Sequence, residues 1–572
     1  MAVWKLLNRK ADFQALRDRF GLDPITIRLL CNRFINTPEA VREFLYPEAS
    51  DLYDPFLMKG MDRACSVINE AASTGKKIRI IGDYDADGVF SAYILYDVLS
   101  RLGALVDYRI PERIRDGYGI NERLVREAAE DGVEMLLTCD NGISAAEQIT
   151  LANALGMKVI VTDHHEIPEV LPPAEVILNP KLENCGYPFR ELCGAGVAMK
   201  LAVALGAEET EYLGFAAVAT VCDIVTMLGE NRTIVKLGLQ QLQHVMNYGL
   251  NALAAGNQIR MSSINTGDIG YRIGPCINAA GRLASAEIAM QLLLAKEEET
   301  AKKLAEQLIA LNEERKEKTQ SAVDEARRIL EDEKLLSDAV LVLLLEDCHE
   351  SVAGIVAGKI KDVYNRPTIV LTYGQDCVKG SARSTEYYNI VEELRACSDL
   401  LLHFGGHPMA AGLSIAKENV ALLRKRLNER AEISEEELEG KRLIDLMVPF
   451  IYAEEERIEE IRLLEPYGPG NPAPQFGARD VSVCSMQRVG RDKSFAKFVL
   501  QDSSGTRIEA LCFSDYESLQ QELITKYGAT EYTNLIQRKP NKVRLSVSYD
   551  MDINEYSGMC TPQLILRDYI LQ

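Results

Sequence analysis

The sequence has no apolar run approaching the roughly 18 to 20 residues that a membrane-spanning helix needs. Its amino terminus, Met1 to Lys10, lacks the basic-then-apolar layout of a signal peptide. The expectation is a soluble, cytoplasmic protein with no membrane partner. Nor is there a Cys-x-x-Cys pair: the 13 cysteines, an odd number, are scattered, and Cys139, Cys222 and Cys512 sit inside apolar runs. That pattern argues against a disulfide framework or a thiolate zinc site and for reduced core thiols. An excess of basic charge is missing too, with 64 Lys and Arg against 85 Asp and Glu and a formal net charge of −21. Proteins that coat polyanions leave a basic footprint, so bulk electrostatic wrapping of nucleic acid is disfavoured, although a local cationic channel is not. Acidic runs such as Glu435-Glu436-Glu437 and Glu454-Glu455-Glu456 are read as solvated faces or linkers. Histidine is scarce, with six in the chain, so the adjacent pair His164-His165 draws notice.

At 572 residues, 47% hydrophobic and 26% charged, the chain is ordinary globular material with length for about three to four domains. Residues 1–60 alternate short helical patterns with breaks at Pro24, Pro38, Pro47 and Pro55, which predicts a helical cap. From Met61 a helix runs to Gly75-Lys76-Lys77, followed by a strand Ile78 to Ile81 and the segment Gly82-Asp83-Tyr84-Asp85-Ala86-Asp87-Gly88. A helix to Leu102, a strand near Leu105 to Ile110 and a helix Asn121 to Glu130 come next. The strand Met135 to Cys139 ends in Asp140-Asn141-Gly142, and Lys158 to Thr162 ends in Asp163-His164-His165. Such alternation predicts an α/β fold around a parallel sheet.

In a parallel sheet the carboxyl ends of the strands share one edge. Asp83, Asp85 and Asp87, Asp140, and Asp163 with its two histidines therefore converge, although they span about 80 residues of sequence. Carboxylates gathered so closely resist ionisation unless a cation lies among them. Helix capping accounts for any one of these acids, but three acidic strand ends and a histidine pair point to metal. Asp223, just beyond Ala219-Thr220-Val221-Cys222, would be costly in a core without a partner and is a further candidate ligand.

Gly274-Pro275-Cys276-Ile277-Asn278-Ala279-Ala280-Gly281-Arg282 reads as a loop whose small residues admit a phosphate. Glu297 to Glu333 is a long charged helix whose apolar seam lapses after Leu311, which favours a connector over a coiled coil. A second α/β lobe opens at Ala339 to Leu345 and carries Cys348-His349-Glu350-Ser351, Gly380-Ser381-Ala382-Arg383-Ser384 and Gly405-Gly406-His407-Pro408-Met409-Ala410-Ala411-Gly412. Paired glycines bring amides close to an anion, arginine grips phosphate bidentately and histidine donates to it, which predicts a phosphate-reading lobe; a simple tight turn at Gly405-Gly406 is the plainer alternative, disfavoured by the adjoining His407. After a Pro/Gly-rich hinge at 466–472, short alternating strands predict a small barrel. Arg491, Lys493 and Lys497 interleave there with Phe495 and Phe498, and Arg538, Lys539, Lys542 and Arg544 follow. Basic and aromatic residues on a barrel suit single-stranded nucleic acid, and the same rings are equally readable as core.

Taken together, these segments resemble the DHH phosphoesterase superfamily and, within it, the RecJ-type single-strand-specific exonucleases. The resemblance rests on Gly82 to Gly88, Thr138 to Ile143, Thr162 to His165, Val218 to Asp223 with Gly229-Glu230-Asn231-Arg232, Asn278 to Arg282, and the Gly-Gly-His segment at 405–412 that marks a DHHA1-type lobe. It covers nearly the whole chain. It implies a helical cap (1–60), a DHH catalytic domain (61–290), a connecting helix (291–336), a DHHA1 substrate-binding domain (337–446) and an OB-fold barrel (447–572). The implied activity is removal of 5′-mononucleotides from single-stranded DNA in the 5′ to 3′ direction, in DNA repair and recombination. Two Mn²⁺ or Mg²⁺ ions would be held by Asp85, Asp87, Asp140, His164 and Asp223, with Asp140 bridging and Asp83 and Asp163 orienting the others. His165 would face the scissile phosphate, while Asn278, Arg282, Ser381, Arg383, His407, Gly405 and Gly406 hold the strand. Implied partners are single-stranded DNA, a single-strand-binding protein and a RecQ-like helicase. Three residues depart from the family's usual pattern: Cys276 stands for arginine, Cys348 for tryptophan and Ser351 for glycine. The alternatives are a phosphodiesterase of short oligonucleotides or cyclic dinucleotides, disfavoured by the barrel, and a non-enzymatic replication scaffold, which should have lost carboxylates.

Overall fold

The computed structural model describes residues 3–9, 13–374, 377–490, 492–554 and 560–572. The chain forms two compact units: Leu52–Val225 with Ile234–Gly440, and Met1–Asp51 with Thr226–Thr233 and Lys441–Gln572. No helix among the described residues is long and apolar enough to cross a membrane.

The larger unit begins with the anticipated parallel sheet. Strands β1 (Lys77–Ile81), β2 (Leu105–Arg109), β3 (Met135–Cys139), β4 (Lys158–Thr162) and β5 (Val176–Leu178) lie in the order β2-β1-β3-β4-β5, all parallel. β3 is buried along its whole length, as expected of a central strand covered on both faces. Helix α1 (Ala86–Arg101) follows β1 at once, α2 (Glu122–Glu130) is capped by Asn121 accepting from Leu124 N, and α3 (Ala146–Ala154) precedes β4. Two apolar helices, α4 (Gly194–Ala204) and α5 (Leu213–Cys222), pack against α1.

Gly274 to Arg282 corrects a sequence expectation, because the segment is a helix, α6 (Gly274–Leu283), entered through a π-turn at Ile269–Ile273. Small residues serve close helix packing here: a Cβ on Gly281 would lie 2.1 Å from Tyr84 O. Helix α7 (Glu298–Asp332) runs 35 residues, about 50 Å at 1.5 Å per residue. Its seam changes partner where it looked interrupted. Ala305 and Leu308 join the first lobe's core, Asn312 and Thr319 are buried polar residues between, and Ala322, Val323, Ala326 and Leu330 join the second lobe's core.

That second lobe has strands β6 (Leu341–Leu345), β7 (Thr368–Tyr373), β8 (Val378–Arg383), β9 (Leu401–His407) and β10 (Ala410–Ile415) in the order β9-β10-β8-β7-β6, with helix α8 (Ala353–Tyr364) packed on β7 and β8. Only β6 and β7 are parallel. Gly405 and Gly406 lie within β9 rather than in a turn. A Cβ on Gly406 would meet Ala410 O at 2.3 Å, whereas Gly405 faces open space.

In the smaller unit, β11 (Leu446–Met447), β12 (Phe476–Val489), β13 (Phe495–Gln501), β14 (Arg507–Cys512), β15 (Arg544–Asn554) and β16 (Thr561–Leu571) form a sheet in the order β11-β12-β13-β14-β16-β15, closed by β12 pairing with β15. This is the OB-type barrel. Residues 1–51 are not purely helical, since Val3–Leu6 pairs in parallel with Lys441–Ile444. Their helices bury Leu16, Leu29, Leu30 and Phe44 in the same core as barrel residues Phe476 and Leu545. Arg33, buried, reaches Asp445 at 3.3 Å and donates to Asn471, Leu29 O and Pro472 O. Arg232 grips four main-chain carbonyls, those of Phe44, Leu463, Glu465 and Pro466. The Gly229-to-Arg232 motif is thus a structural clamp.

Candidate metal centre

The strand ends converge as the parallel topology requires. Asp85 caps α1, one carboxylate oxygen accepting from Gly88 N at 3.0 Å. Asp87 lies in the first turn, where its two oxygens accept from Gly194 N (2.6 Å) and Ala195 N (2.7 Å) at the start of α4. Asp140 follows β3 with φ of 61°, a left-handed conformation that Asp tolerates better than most residues. Its carbonyl accepts from the Tyr118 hydroxyl at 2.7 Å. A Cβ on Gly194 would fall 2.6 Å from Asp140 Cβ, so the helix start and the carboxylate share space that only glycine leaves open.

The donor atoms fall into overlapping groups, each within 4.8 Å: Asp83, Asp85 and Asp140; Asp87, His164 and Asp223; Asp140, His164 and His165. His164 Nε2 lies 3.1 Å from Asp140 Oδ1, 3.6 Å from Asp87 Oδ2 and 3.7 Å from Asp223 Oδ2. Asp140 Oδ1, His164 Nε2 and Asp223 Oδ2 are buried without a hydrogen-bond partner. An orphaned buried donor or acceptor costs about 1–3 kcal/mol, so three in one place suit ligation of a cation. Burial, followed by mutual repulsion, pushes Asp83, Asp140 and Asp223 well above the carboxylate range. Burial lowers His164 to about 4, leaving a neutral imidazole with a free lone pair. Hard carboxylate oxygens and one neutral imidazole suit Mn²⁺ and Mg²⁺.

Asp163 plays a different part from the other acids. Its carboxylate accepts from Ile143 N, His164 N and His165 N and pairs with His165 Nδ1 at 2.7 Å. Burial opposes charge on His165, but this hydrogen bond and the negative charges of Asp163, Asp223 and Asp87 outweigh it and raise the ring to about 9. The two adjacent histidines thus differ in charge, neutral at 164 and cationic at 165. Asp223 is the residue after α5, its N–H bonded to Ala219 O. Ile224 follows with φ of 59° and 71% exposure. A branched side chain in the left-handed region costs about 1–2 kcal/mol.

Beside the acids, Arg282 of α6 donates to Ser351 O of the second lobe at 2.7 Å. Burial, then the neighbouring charges of Arg113 and Arg315, lower it to about 10 against the pull of Asp85. Arg383, lowered by burial, reaches Ser381 Oγ at 3.3 Å. A cavity of about 500 Å³, lined by Tyr84, Arg113, Ser351, Lys379, Ser381 and Gly405 among others, opens here. A second, of about 320 Å³, brings His407 of the second lobe to Tyr118, Asp163, His165 and Glu166. Crowded arginines and open amides make this a place for phosphate.

Not every expected residue faces the cleft. Asn278 commits its amide oxygen to Ala86 N at 2.8 Å, which buttresses the Asp85 turn. Cys276 packs toward Asn257 and Asn312, and Cys348 is buried, while Ser351 lines the larger cavity and bonds His349. On the barrel, Phe498 is 1% exposed and is a core ring, unavailable for base stacking. Phe495 is half-buried, edge-on to Phe513. Lys497 pairs with Glu509 at 2.7 Å and, with Arg507, Arg538 and Lys539, lines a groove of about 610 Å³. Lys493 is exposed in a turn, and Arg491 lies outside the described residues. Sequence reading missed Tyr118, Arg113 and Asn141. The Gly117-Tyr118-Gly119 sequence just beyond β2 was an available signal for the first, while Asn141, which ties Ile81 O and Cys139 O to Ile120 N, gave none beyond its neighbour Asp140.

Comparison with known proteins yields three family matches: the DHH family N-terminal domain over residues 77–220, the DHHA1 domain over 337–432 and the RecJ OB domain over 444–568. The single-stranded-DNA-specific exonuclease RecJ of Bacillus subtilis is 36% identical over 571 residues, covering 99% of this chain and 70% of that protein. Among solved structures, RecJ of Thermus thermophilus in complex with Mn²⁺ superposes with a TM-score of 0.83 at 27% identity, over 99% of this chain and 79% of that one. The same protein with Mg²⁺ gives a TM-score of 0.76 at 26% identity, covering 99% and 78%.

Proposed function

The chain belongs to the RecJ family of single-stranded-DNA-specific exonucleases, and from that premise we propose how its residues divide the work. It is a metal-dependent phosphodiester hydrolase of single-stranded DNA that uses Mn²⁺ or Mg²⁺. In our reading Asp85, Asp87, Asp140, His164 and Asp223 would hold two ions, with Asp83 beside these ligands. When bound, such ions supply an activated water and neutralise charge at the phosphate. The protein's own groups set the rest. Asp163 fixes the His165 ring, whose cationic N–H is oriented to donate to a phosphate oxygen. Arg113, Ser381 and His407 line the cavities that accept the terminal phosphate and the first nucleotide, and Arg282 and Arg383 bond the lining residues Ser351 and Ser381. Hydrolysis then proceeds from the 5′ end and releases 5′-mononucleotides. On the barrel, the groove of Lys497, Arg507, Arg538 and Lys539 offers a separate cationic track for the strand, salt-sensitive despite the acidic total.

The observation that carries this reading is the trio of orphaned, buried donors on Asp140, His164 and Asp223. The test offers Mn²⁺ with 5′-labelled strand, 3′-labelled strand, duplex, a dinucleotide and a cyclic dinucleotide. Release of 5′ label as mononucleotide, abolished by Asp140→Ala in a cooperatively folded protein, is expected. Retained Mn²⁺-dependent activity in that variant, or a preference for the dinucleotides, would sink it. A single-strand-binding protein and a RecQ-like helicase, which present or generate single strands, are the partners this activity would draw on, and the cytoplasm is the compartment it implies. Copurification and stimulation assays test both partners.

A further inference from the structure

Ile224 stands where a helix ordinarily ends in glycine. Helix α5 closes at Cys222, Asp223 is its cap, and the next residue takes φ of 59°. A left-handed residue just past the cap is the usual helix stop, and glycine holds it there without steric cost. Isoleucine, branched at Cβ, is among the residues least suited to it. Burial does not offset the cost, because the side chain is 71% exposed. The residues before it are held in place: Asp223 N–H is bonded to Ala219 O, and the start of α6 lies against Cys222, where a Cβ on Gly274 would meet Sγ at 2.4 Å. Strain held in place beside a functional residue points to a role for the side chain that incurs it.

We propose that Ile224 is a strand contact: its exposed apolar side chain packs against a nucleobase of bound single-stranded DNA while the adjoining phosphate lies at the acids beside Asp223. The inference rests on the single-strand exonuclease reading and adds to it a residue that grips base rather than backbone. Apolar contact with a base is tolerant of sequence, as a nuclease that consumes any strand requires.

The test measures hydrolysis of an intact 5′-phosphorylated oligonucleotide and of one whose first few positions are abasic, using the full chain with Mn²⁺. Ile224→Ala and Ile224→Gly should each raise KM for intact DNA about tenfold, with kcat and the Mn²⁺ midpoint unchanged. On the abasic strand the same variants should match the wild-type protein, because the contact is already gone. Ile224→Gly should also melt at a higher temperature than Ile224→Ala. An equal KM penalty on both strands, or a shifted Mn²⁺ midpoint, would show that Ile224 acts through Asp223 and overturn the proposal, as would an unchanged KM. Failure of the wild-type protein to degrade intact DNA would instead defeat the underlying exonuclease reading.

Discussion

Replacing Gly194 by alanine tests how tightly the centre is built. The added methyl would stand 2.6 Å from Asp140 Cβ and 2.9 Å from both Cγ and Oδ1. Ordinary contact begins near 3.4 Å, so Asp140 or the start of α4 must yield by about 0.8 Å. Moving the helix also moves the Gly194 and Ala195 amides that hold both oxygens of Asp87. One methyl therefore displaces two proposed ligands. A misplacement near 1 Å costs on the order of 100-fold in rate, equivalent to about 2.7 kcal/mol of transition-state stabilisation. The fold should lose about 1–3 kcal/mol, the usual range for overpacking. The assay is kcat/KM on 5′-labelled single-stranded DNA across a Mn²⁺ titration, paired with urea unfolding. Gly194→Ala should be cooperatively folded, at least tenfold and nearer 100-fold slower, and should need more Mn²⁺ for half-maximal rate. Wild-type activity at the wild-type Mn²⁺ midpoint would refute the claim that this contact positions Asp140.

Three further outcomes follow from other contacts. Asp140 is raised by burial and by Asp87, so its ionised form costs the metal-free protein stability above the ordinary carboxylate pKa; Asp140→Asn should stabilise that form at pH 7 by about 1–3 kcal/mol, seen as a higher urea midpoint in chelator, while abolishing hydrolysis. Asp116 is buried among Arg115, Arg123 and Glu112 N. Burial opposes its ionisation, but these partners prevail and hold it at about 2. Its contribution of about 2 kcal/mol is then fully present above the unfolded value near 4 and is lost as pH falls through 2. The stability gap to Asp116→Asn should therefore be flat from pH 7 to 5 and close only below about 4, and a gap that narrows between pH 7 and 5 would contradict the assignment. Asp445→Ala leaves Arg33 without the carboxylate 3.3 Å away and should cost about 3–5 kcal/mol, read by denaturant melts, with the Mn²⁺ midpoint unmoved.

Much of the centre was legible because parallel-sheet topology converts sequence into place. Once β1, β3 and β4 are read as neighbours, Asp85, Asp140 and His164 have one edge to occupy, and their convergence follows from geometry alone. Asp223 was legible through cost, as an acid at the end of an apolar helix. What escaped notice depends on contacts that no local pattern encodes. The 274–282 segment carries Gly274 and Gly281 because α6 lies against Cys222 Sγ and Tyr84 O, a packing constraint that in sequence looks like a loop. Phe498 and Lys497 alternate across a barrel wall, and alternation does not say which face is inward until the barrel closes. Tyr118 and Arg113 act from an irregular stretch with no periodicity. The pairing of Val3–Leu6 with Lys441–Ile444 joins segments whose separation hides the strand from any window of neighbours.

That last pairing bears on the order in which the molecule can be made. A ribosome that has synthesised everything through Gly440 has delivered the whole of the larger unit, but the strand at the other end of the chain still has no mate. At translation speeds of about 5–20 residues per second, Val3–Leu6 waits on the order of 20 to 90 seconds before Lys441–Ile444 emerges. Leu29, Leu30 and Phe44, which end in the core they share with the barrel, stay solvated or shielded by other means during that interval. The nascent chain thus has a catalytic lobe that can fold early and an amino-terminal segment that completes last, an inversion of the usual vectorial order.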